Sequence, residues 1–137
     1  MKTPKSGTQL VALAFTAFLL QACSEPVAWR GTDVSGILPD LEFTLTGSDG
    51  LETGADAFHG KATLLYFGFT SCPGVCPTTL NHVSVALDAL GGPARNVHVL
   101  LVSVDPKRDT PEVMRKYTAG YGPWLHGLTG SEADLRA

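Results

Sequence analysis

Two nearly continuous apolar runs constrain the fold more than any other feature of this sequence. Ala62–Phe69 and Val97–Val104 read ATLLYFGF and VHVLLVSV, the pattern of strands that are buried on both faces of a parallel sheet. Between them, apolar residues recur on one face of a helix, at Leu80, Val83, Leu87 and Leu90. Since parallel strands need a crossover connection, this order predicts an α/β fold with right-handed crossovers.

The flanking segments carry further strand, turn and cap signals. Leu41, Phe43 and Leu45 alternate with polar residues, which predicts a half-buried strand. Thr110-Pro111 is a cap followed by a proline suited to the first helical position, so a helix should run from there to about Gly120. Ser131-Glu132-Ala133-Asp134 has the spacing of a capping box. Because the sequence stops soon after this helix start, we expect an incomplete domain.

Composition excludes several classes of protein. The chain has 137 residues, 44% of them hydrophobic and 17% charged, as expected for one globular domain. Its formal charge is −3, so it carries no basic field that would hold a nucleic acid. Three cysteines are too few for a secreted scaffold held by many disulfides.

The first residues read as an export signal. Lys2 and Lys5 precede an apolar run, Leu10–Leu20, that is too short for a membrane span of roughly 20 residues but suits a secretory signal. Leu20-Gln21-Ala22-Cys23 resembles the lipobox of bacterial lipoproteins, which implies a lipid-modified Cys23. The alternative is an ordinary cleaved signal with an incidental cysteine. We therefore expect a signal peptide over residues 1–22, a membrane tether over 23–36 and a domain over 37–137, exported and lipid-anchored on the periplasmic or outer side of a membrane.

The main candidate site is the pair Cys72 and Cys76. Pro77 predicts that a helix begins there with Cys76 at its cap, which places both sulfurs near a helix amino terminus. Unpaired N–H groups at that end should lower the pKa of at least one thiol. Thiolates attack disulfides and bind soft ions such as Cu(I), or Zn(II). A structural disulfide or two merely buried thiols remain the alternatives, and a bound metal would need a third ligand from elsewhere.

Two motifs in the expected order resemble the Sco/SenC family. They are YFGFTSCPGVCPTTL at Tyr66–Leu80 and SVDPKRDTP at Ser103–Pro111, and the run Leu128-Thr129-Gly130 near the end also resembles the family. Leu41–Gly50 and Phe58–Lys61 match more loosely. The resemblance covers roughly residues 39–137. It implies a thioredoxin-like fold, a membrane tether, copper as Cu(I) or Cu(II), and a role in assembling the dinuclear copper centre of cytochrome c oxidase. The implied copper ligands and redox pair are Cys72 and Cys76, and the implied partner is a copper-receiving oxidase subunit or another copper protein.

The sequence departs from the family pattern at two points. Gly74 stands where the family often has an acidic or amide residue, which leaves both sulfurs in place. The family's third ligand is a histidine in a strand that follows the helix beginning here at Ser131, so its position lies beyond the end of this chain. The histidines present are each expected to be ordinary surface or core residues: His59, His82, His98 and His126.

Other polar and aromatic residues near the motifs have several interpretations. Asp105 should lie at the same sheet edge as the cysteines, where it supports the copper site by steering a cation or tuning a thiol, or else caps the following turn. A solvated charge cluster is predicted for Lys107, Arg108 and Asp109, and a core role for the aromatic residues Tyr66, Phe67 and Phe69.

Three functions follow in order of preference. The first is a lipid-anchored copper chaperone, a binding protein more than an enzyme. The second is a thiol–disulfide oxidoreductase that keeps a partner's copper-binding cysteines reduced, which needs only the dithiol. The third is a peroxiredoxin-like peroxidase, which the three-residue spacer and the proline-rich cysteine loop argue against.

Overall fold

The computed structural model describes residues 30–136. The predicted signal peptide, Cys23 and the first half of the tether lie outside the described residues. Residues 40–136 belong to one compact unit, and residues 30–39 belong to another, in which the Asp33 carboxylate accepts the Ser35 N–H at 2.9 Å. Across residues 30–136, no helix combines the length and apolar character that crossing a membrane requires.

Five strands and two helices build the larger unit. In chain order they are β1 (Thr44–Gly47), β2 (Glu52–Gly54), β3 (Ala62–Gly68), α1 (Val75–Leu90), β4 (Val97–Ser103), α2 (Pro111–Thr118) and β5 (Leu125–Thr129). Short 3-10 helices lie at Ala55–Phe58, Gly92–Asn96 and Asp134–Arg136.

The strands form one mixed sheet in the order β2-β1-β5-β4-β3. β3 and β4 are parallel, with Ala62 opposite Val97 and Gly68 opposite Ser103, and β4 and β5 are also parallel. β1 runs antiparallel to both β2 and β5. The predicted α/β class and the parallel pairing of the two apolar runs are therefore confirmed, whereas β5 was not predicted as a strand.

The core lies on both faces of the sheet. One face packs against the helices through Leu80, Leu87, Val99, Leu101, Met114 and Leu125. The other face is built by Leu45, Phe58, Leu100, Val102 and Leu128. Successive β4 residues thus alternate between two apolar clusters, which confirms that β4 is buried on both sides.

The prediction that the strand is buried on both faces is wrong for β3. β3 is an edge strand of the described sheet, and β4 is its paired neighbour there. Leu64, Leu65 and Phe67 are 43%, 41% and 60% exposed, so Phe67 is not the core residue that the sequence predicted. An apolar run shows that a strand can be buried, but the position of the strand in the sheet determines how much of it is buried.

Most of the predicted caps are confirmed. Thr110 accepts the Val113 N–H at 3.4 Å at the start of α2. Ser131 and Asp134 form the reciprocal capping box, with N–H to side-chain oxygen distances of 2.8 and 3.2 Å.

α1 begins two residues earlier than predicted, at Val75, and its N-cap is Gly74. Pro77 is tolerated inside the first turn because an N–H at that position has no acceptor within the helix. Cys76 therefore lies inside the first turn and is not its cap.

Candidate metal centre

Cys72 lies in the connection between β3 and α1, and Cys76 lies in the first turn of α1, at the carboxyl ends of the parallel strands. The Cys72 N–H donates to the Phe69 carbonyl at 3.2 Å, which closes a turn before the helix. Both thiols are free, and their residues are only 8% and 3% exposed for Cys72 and Cys76. The crevice outside these strand ends is where ligands bind in open α/β sheets.

The Cys72 sulfur accepts hydrogen bonds from the start of α1. The Cys76 N–H lies 3.4 Å from it. This bond is the main cause that lowers the pKa of Cys72, followed by the Gly74 N–H, the Cys76 thiol and the Val75 N–H. These backbone N–H groups have no acceptor within the helix, and Pro77, which has no N–H group, does not compete with them for the sulfur. The predicted depression of a thiol pKa is therefore confirmed, and the donors that cause it are identified.

The Cys76 sulfur lies in a confined space beside β3. A Cβ atom built on Gly68 would lie 3.2 Å from this sulfur, so the close approach depends on glycine. The neighbouring Cys76 thiol is the main cause that raises the pKa of Tyr66. The ring of Tyr66 packs against the helix-side core, as predicted, but its position beside the Cys76 thiol was missed. The strand period could have revealed it, because Tyr66 shares a face with Gly68.

The predicted solvated charge cluster is wrong for Asp109. Lys107 and Arg108 are exposed and form ion pairs with Glu132 and Asp105. Asp109 is 0% exposed and accepts hydrogen bonds from Thr70 and Ser103. The sequence shows only three adjacent charges, whereas the loop turns this one inward.

Asp105 follows β4 at the cysteine edge of the sheet, as predicted. Its carboxylate bonds to Arg108, and its carbonyl accepts the N–H groups of Arg108 and Asp109 at 3.1 and 3.0 Å. These bonds fit the alternative in which Asp105 stabilises the following turn. A supporting role at a copper site stays a prediction.

The histidines lie away from the thiols or on the surface. His98 and His126 hydrogen bond to each other across β4 and β5, with 2.8 Å between Nδ1 and Nε2. His98 is opposite Thr63 at the start of β3, which is the far end of the sheet from the cysteines. His59 and His82 are exposed. Within residues 30–136, no group of three or more His, Cys, Asp and Glu residues is arranged to hold a metal.

The fold and the site define a thioredoxin-like protein with two free cysteines at the start of a helix. The SCO1/SenC family model matches residues 38–137, and the chain therefore belongs to the SCO1/SenC family.

Relatives and solved structures agree with this assignment. The SCO2-like protein RP587 of Rickettsia prowazekii is 38% identical over 94 residues, which are 69% of this chain and 46% of that protein. The copper-bound structure of Bradyrhizobium japonicum ScoI has a TM-score of 0.65 at 42% identity and covers 70% of this chain and 61% of its own.

A third match is BsSco, described with a disulfide switch as a member of the Sco family of cytochrome c oxidase assembly proteins. It has a TM-score of 0.58 at 28% identity and covers 69% of this chain and 58% of its own. The chain spans about half the length of the curated relatives it matches.

Proposed function

We propose that this chain is a copper chaperone that carries copper on Cys72 and Cys76 and delivers it for assembly of the dinuclear copper centre of cytochrome c oxidase. The observation that carries the proposal is the pair of free cysteines at the start of α1, with backbone N–H groups around the Cys72 sulfur. The copper bound to ScoI and the assembly role of the family to which BsSco belongs support the same function.

The donors suit Cu(I) as the cargo. Thiolates are soft ligands that favour Cu(I), and a depressed pKa means that Cys72 releases its proton to water at little cost when the ion binds. The two side chains are largely buried, which shields the bound ion from water and from competing thiols. A partner that offers more ligands can then take the ion by exchange of one thiolate at a time.

Competition titration of the reduced protein with a Cu(I) chelator tests the proposal. We expect one Cu(I) per chain, with binding lost in both Cys72→Ala and Cys76→Ala. His82→Ala is the matched control, because His82 is exposed on the same helix and should leave the affinity unchanged. Failure of the wild-type chain to compete with the chelator would refute copper binding.

A thiol–disulfide oxidoreductase is the second candidate, favoured by the depressed pKa of Cys72 and by the disulfide switch of BsSco. The Cys72 thiolate would attack a partner disulfide, forming a mixed disulfide and releasing one partner thiolate. Cys76 would then attack the Cys72 sulfur, which frees the second partner thiol and leaves the Cys72–Cys76 disulfide. Rapid reduction of a copper-site disulfide by a chain that binds Cu(I) weakly would favour this role over carriage of the ion.

We further propose that Cys23 carries the lipid that anchors the exported protein to a membrane. The supporting feature is the Leu20–Cys23 sequence, which resembles a lipobox. Expressed in a bacterium and labelled with radioactive palmitate, the wild-type protein should incorporate the label and sediment with membranes. Cys23→Ser should do neither, and an unchanged distribution in this variant would refute the anchor.

A further inference from the structure

Asp109 is a buried carboxylate whose partners are all neutral. It accepts the Thr70 hydroxyl at 2.5 Å, the Thr70 N–H at 3.1 Å and the Ser103 hydroxyl at 2.6 Å. Burying a carboxylate is costly unless its oxygens are satisfied, and bonds to an ionised group are stronger than neutral ones. This carboxylate therefore ties Thr70 and Ser103 together more firmly than a neutral side chain would.

One of those positions belongs to the cysteine loop. Thr70 lies two residues before Cys72, inside the turn that the Phe69 carbonyl and the Cys72 N–H close at 3.2 Å. Asp109 holds both the backbone and the hydroxyl of Thr70, so it fixes the residue on which this turn is built. Cys72 then has little freedom to move away from the N–H groups of α1.

The other arm of the carboxylate is attached to the sheet. Ser103 ends β4 and is 0% exposed, and its hydroxyl also accepts the Asp105 N–H at 3.0 Å. In the next position the Val104 N–H donates to the Gly68 carbonyl at 2.8 Å. Asp109 thereby links the cysteine loop to the buried carboxyl end of β4.

We propose that Asp109 is a positioning residue that holds the Cys72–Cys76 pair in its binding geometry without touching the copper. The copper part of this inference rests on the proposed function, whereas the geometric part does not. A loop that is held in place before the ion arrives loses less conformational freedom on binding, which strengthens binding. The same restraint raises the effective concentration of one thiol for the other and so favours their disulfide over the dithiol.

Two variants of the full chain separate the carboxylate from its partner. Asp109→Asn keeps the volume but removes the charge and one acceptor, and Thr70→Val removes the hydroxyl and keeps the backbone N–H. Loss of bonds to a charged group predicts that Asp109→Asn weakens Cu(I) binding about ten-fold, and Thr70→Val by a smaller factor. Because the residues act through one contact, the double variant should lose less than the product of the two factors.

Thr110→Ala is the matched control. It removes a helix cap next to Asp109 and lowers stability, but Thr110 donates nothing to the cysteine loop. Unchanged Cu(I) affinity in this variant, beside a loss in Asp109→Asn, would separate positioning from general stability. Equal losses in the two variants would overturn the proposal.

The equilibrium with glutathione gives a readout that needs no copper. Two protein thiols and one oxidised glutathione exchange to one protein disulfide and two reduced glutathiones. We expect Asp109→Asn to shift this equilibrium about ten-fold toward the protein dithiol, compared with wild type and Thr110→Ala. An unchanged equilibrium constant in Asp109→Asn would overturn the proposal, whatever the copper measurements show. Failure of every variant and of the wild type to bind copper would refute only the copper function. If Asp109→Asn does not fold, Thr70→Val decides the question by the same two measurements.

Discussion

Replacement of Gly68 by alanine tests how closely the dithiol is packed against the sheet. The added methyl group would lie 3.2 Å from the Cys76 sulfur, 3.2 Å from Cε1 of Tyr66 and 3.1 Å from Cδ1 of Leu101. Ordinary van der Waals contact begins near 3.4 Å, so each neighbour must yield by a few tenths of an ångström. Leu101 and Cys76 are only 0% and 3% exposed, so neither has open space to move into when the methyl group presses on it.

The cost follows from this crowding. Overpacking a filled core typically costs about 1–3 kcal/mol. Alanine also restricts the unfolded chain, which returns about 0.4–1 kcal/mol where the backbone conformation suits it. Gly68 does not have a positive φ, so the offset applies. We therefore expect a net loss of about 1–2 kcal/mol in the free energy of unfolding, together with weaker Cu(I) binding because Cys76 is displaced.

Urea unfolding of the reduced, copper-free protein measures the stability, and chelator competition measures the affinity. Gly92→Ala is the matched control, because a Cβ there would meet no atom within 4 Å and its φ is not positive. This control should be neutral or slightly stabilising. If Gly68→Ala unfolds at the same urea concentration as Gly92→Ala and binds Cu(I) as the wild type does, the close approach of Cys76 to β3 is wrong.

Three further predictions concern pH, charge and capping. Burial lowers the pKa of both His98 and His126, so below a pH of ~6.5 the unfolded chain binds more protons than the folded chain does. The free energy of unfolding, measured with urea, should therefore fall as the pH drops below that value, and it should fall less steeply in His126→Gln. Gly74→Asp should raise the pKa of Cys72 in an alkylation-rate profile more than Gly74→Asn does, because a carboxylate there opposes the thiolate, and equal profiles would contradict this. Thr110→Ala should lower the free energy of unfolding by about 1 kcal/mol through loss of the α2 cap, and an unchanged urea midpoint would argue against that cap.

Sequence patterns predicted the features that depend on neighbours along the chain. The apolar runs of β3 and β4 predicted parallel strands, and Thr110-Pro111 predicted the start of α2. The capping box Ser131–Asp134 also forms, although the turn it closes leads into a short 3-10 helix, Asp134–Arg136, that begins later than predicted. The lowered pKa of Cys72 could also be predicted, because its donors lie within four residues. The start of α1 was misplaced, because a proline is permitted in the first turn as well as before it.

Contacts between distant segments could not be predicted in this way. Thr70 and Asp109 are 39 positions apart, and His98 and His126 are 28 apart. Such pairs form only when strand order and register bring their elements together, which no local pattern specifies. For this reason the sequence predicted only a solvated charge for Asp109 and only a core role for Tyr66.

The sequence by itself determined the chemistry of this protein: two thiols, the N–H groups around one of them, and the strand–helix–strand unit that presents them. Only the tertiary structure decided that β3 lies at an edge of the sheet, that Asp109 turns inward to hold the cysteine loop, and that Gly68 lets Cys76 approach the sheet. The physical reason is the separation along the chain of the residues that interact. Caps and helix-end donors act over one turn, whereas burial and close packing depend on every element that surrounds a residue.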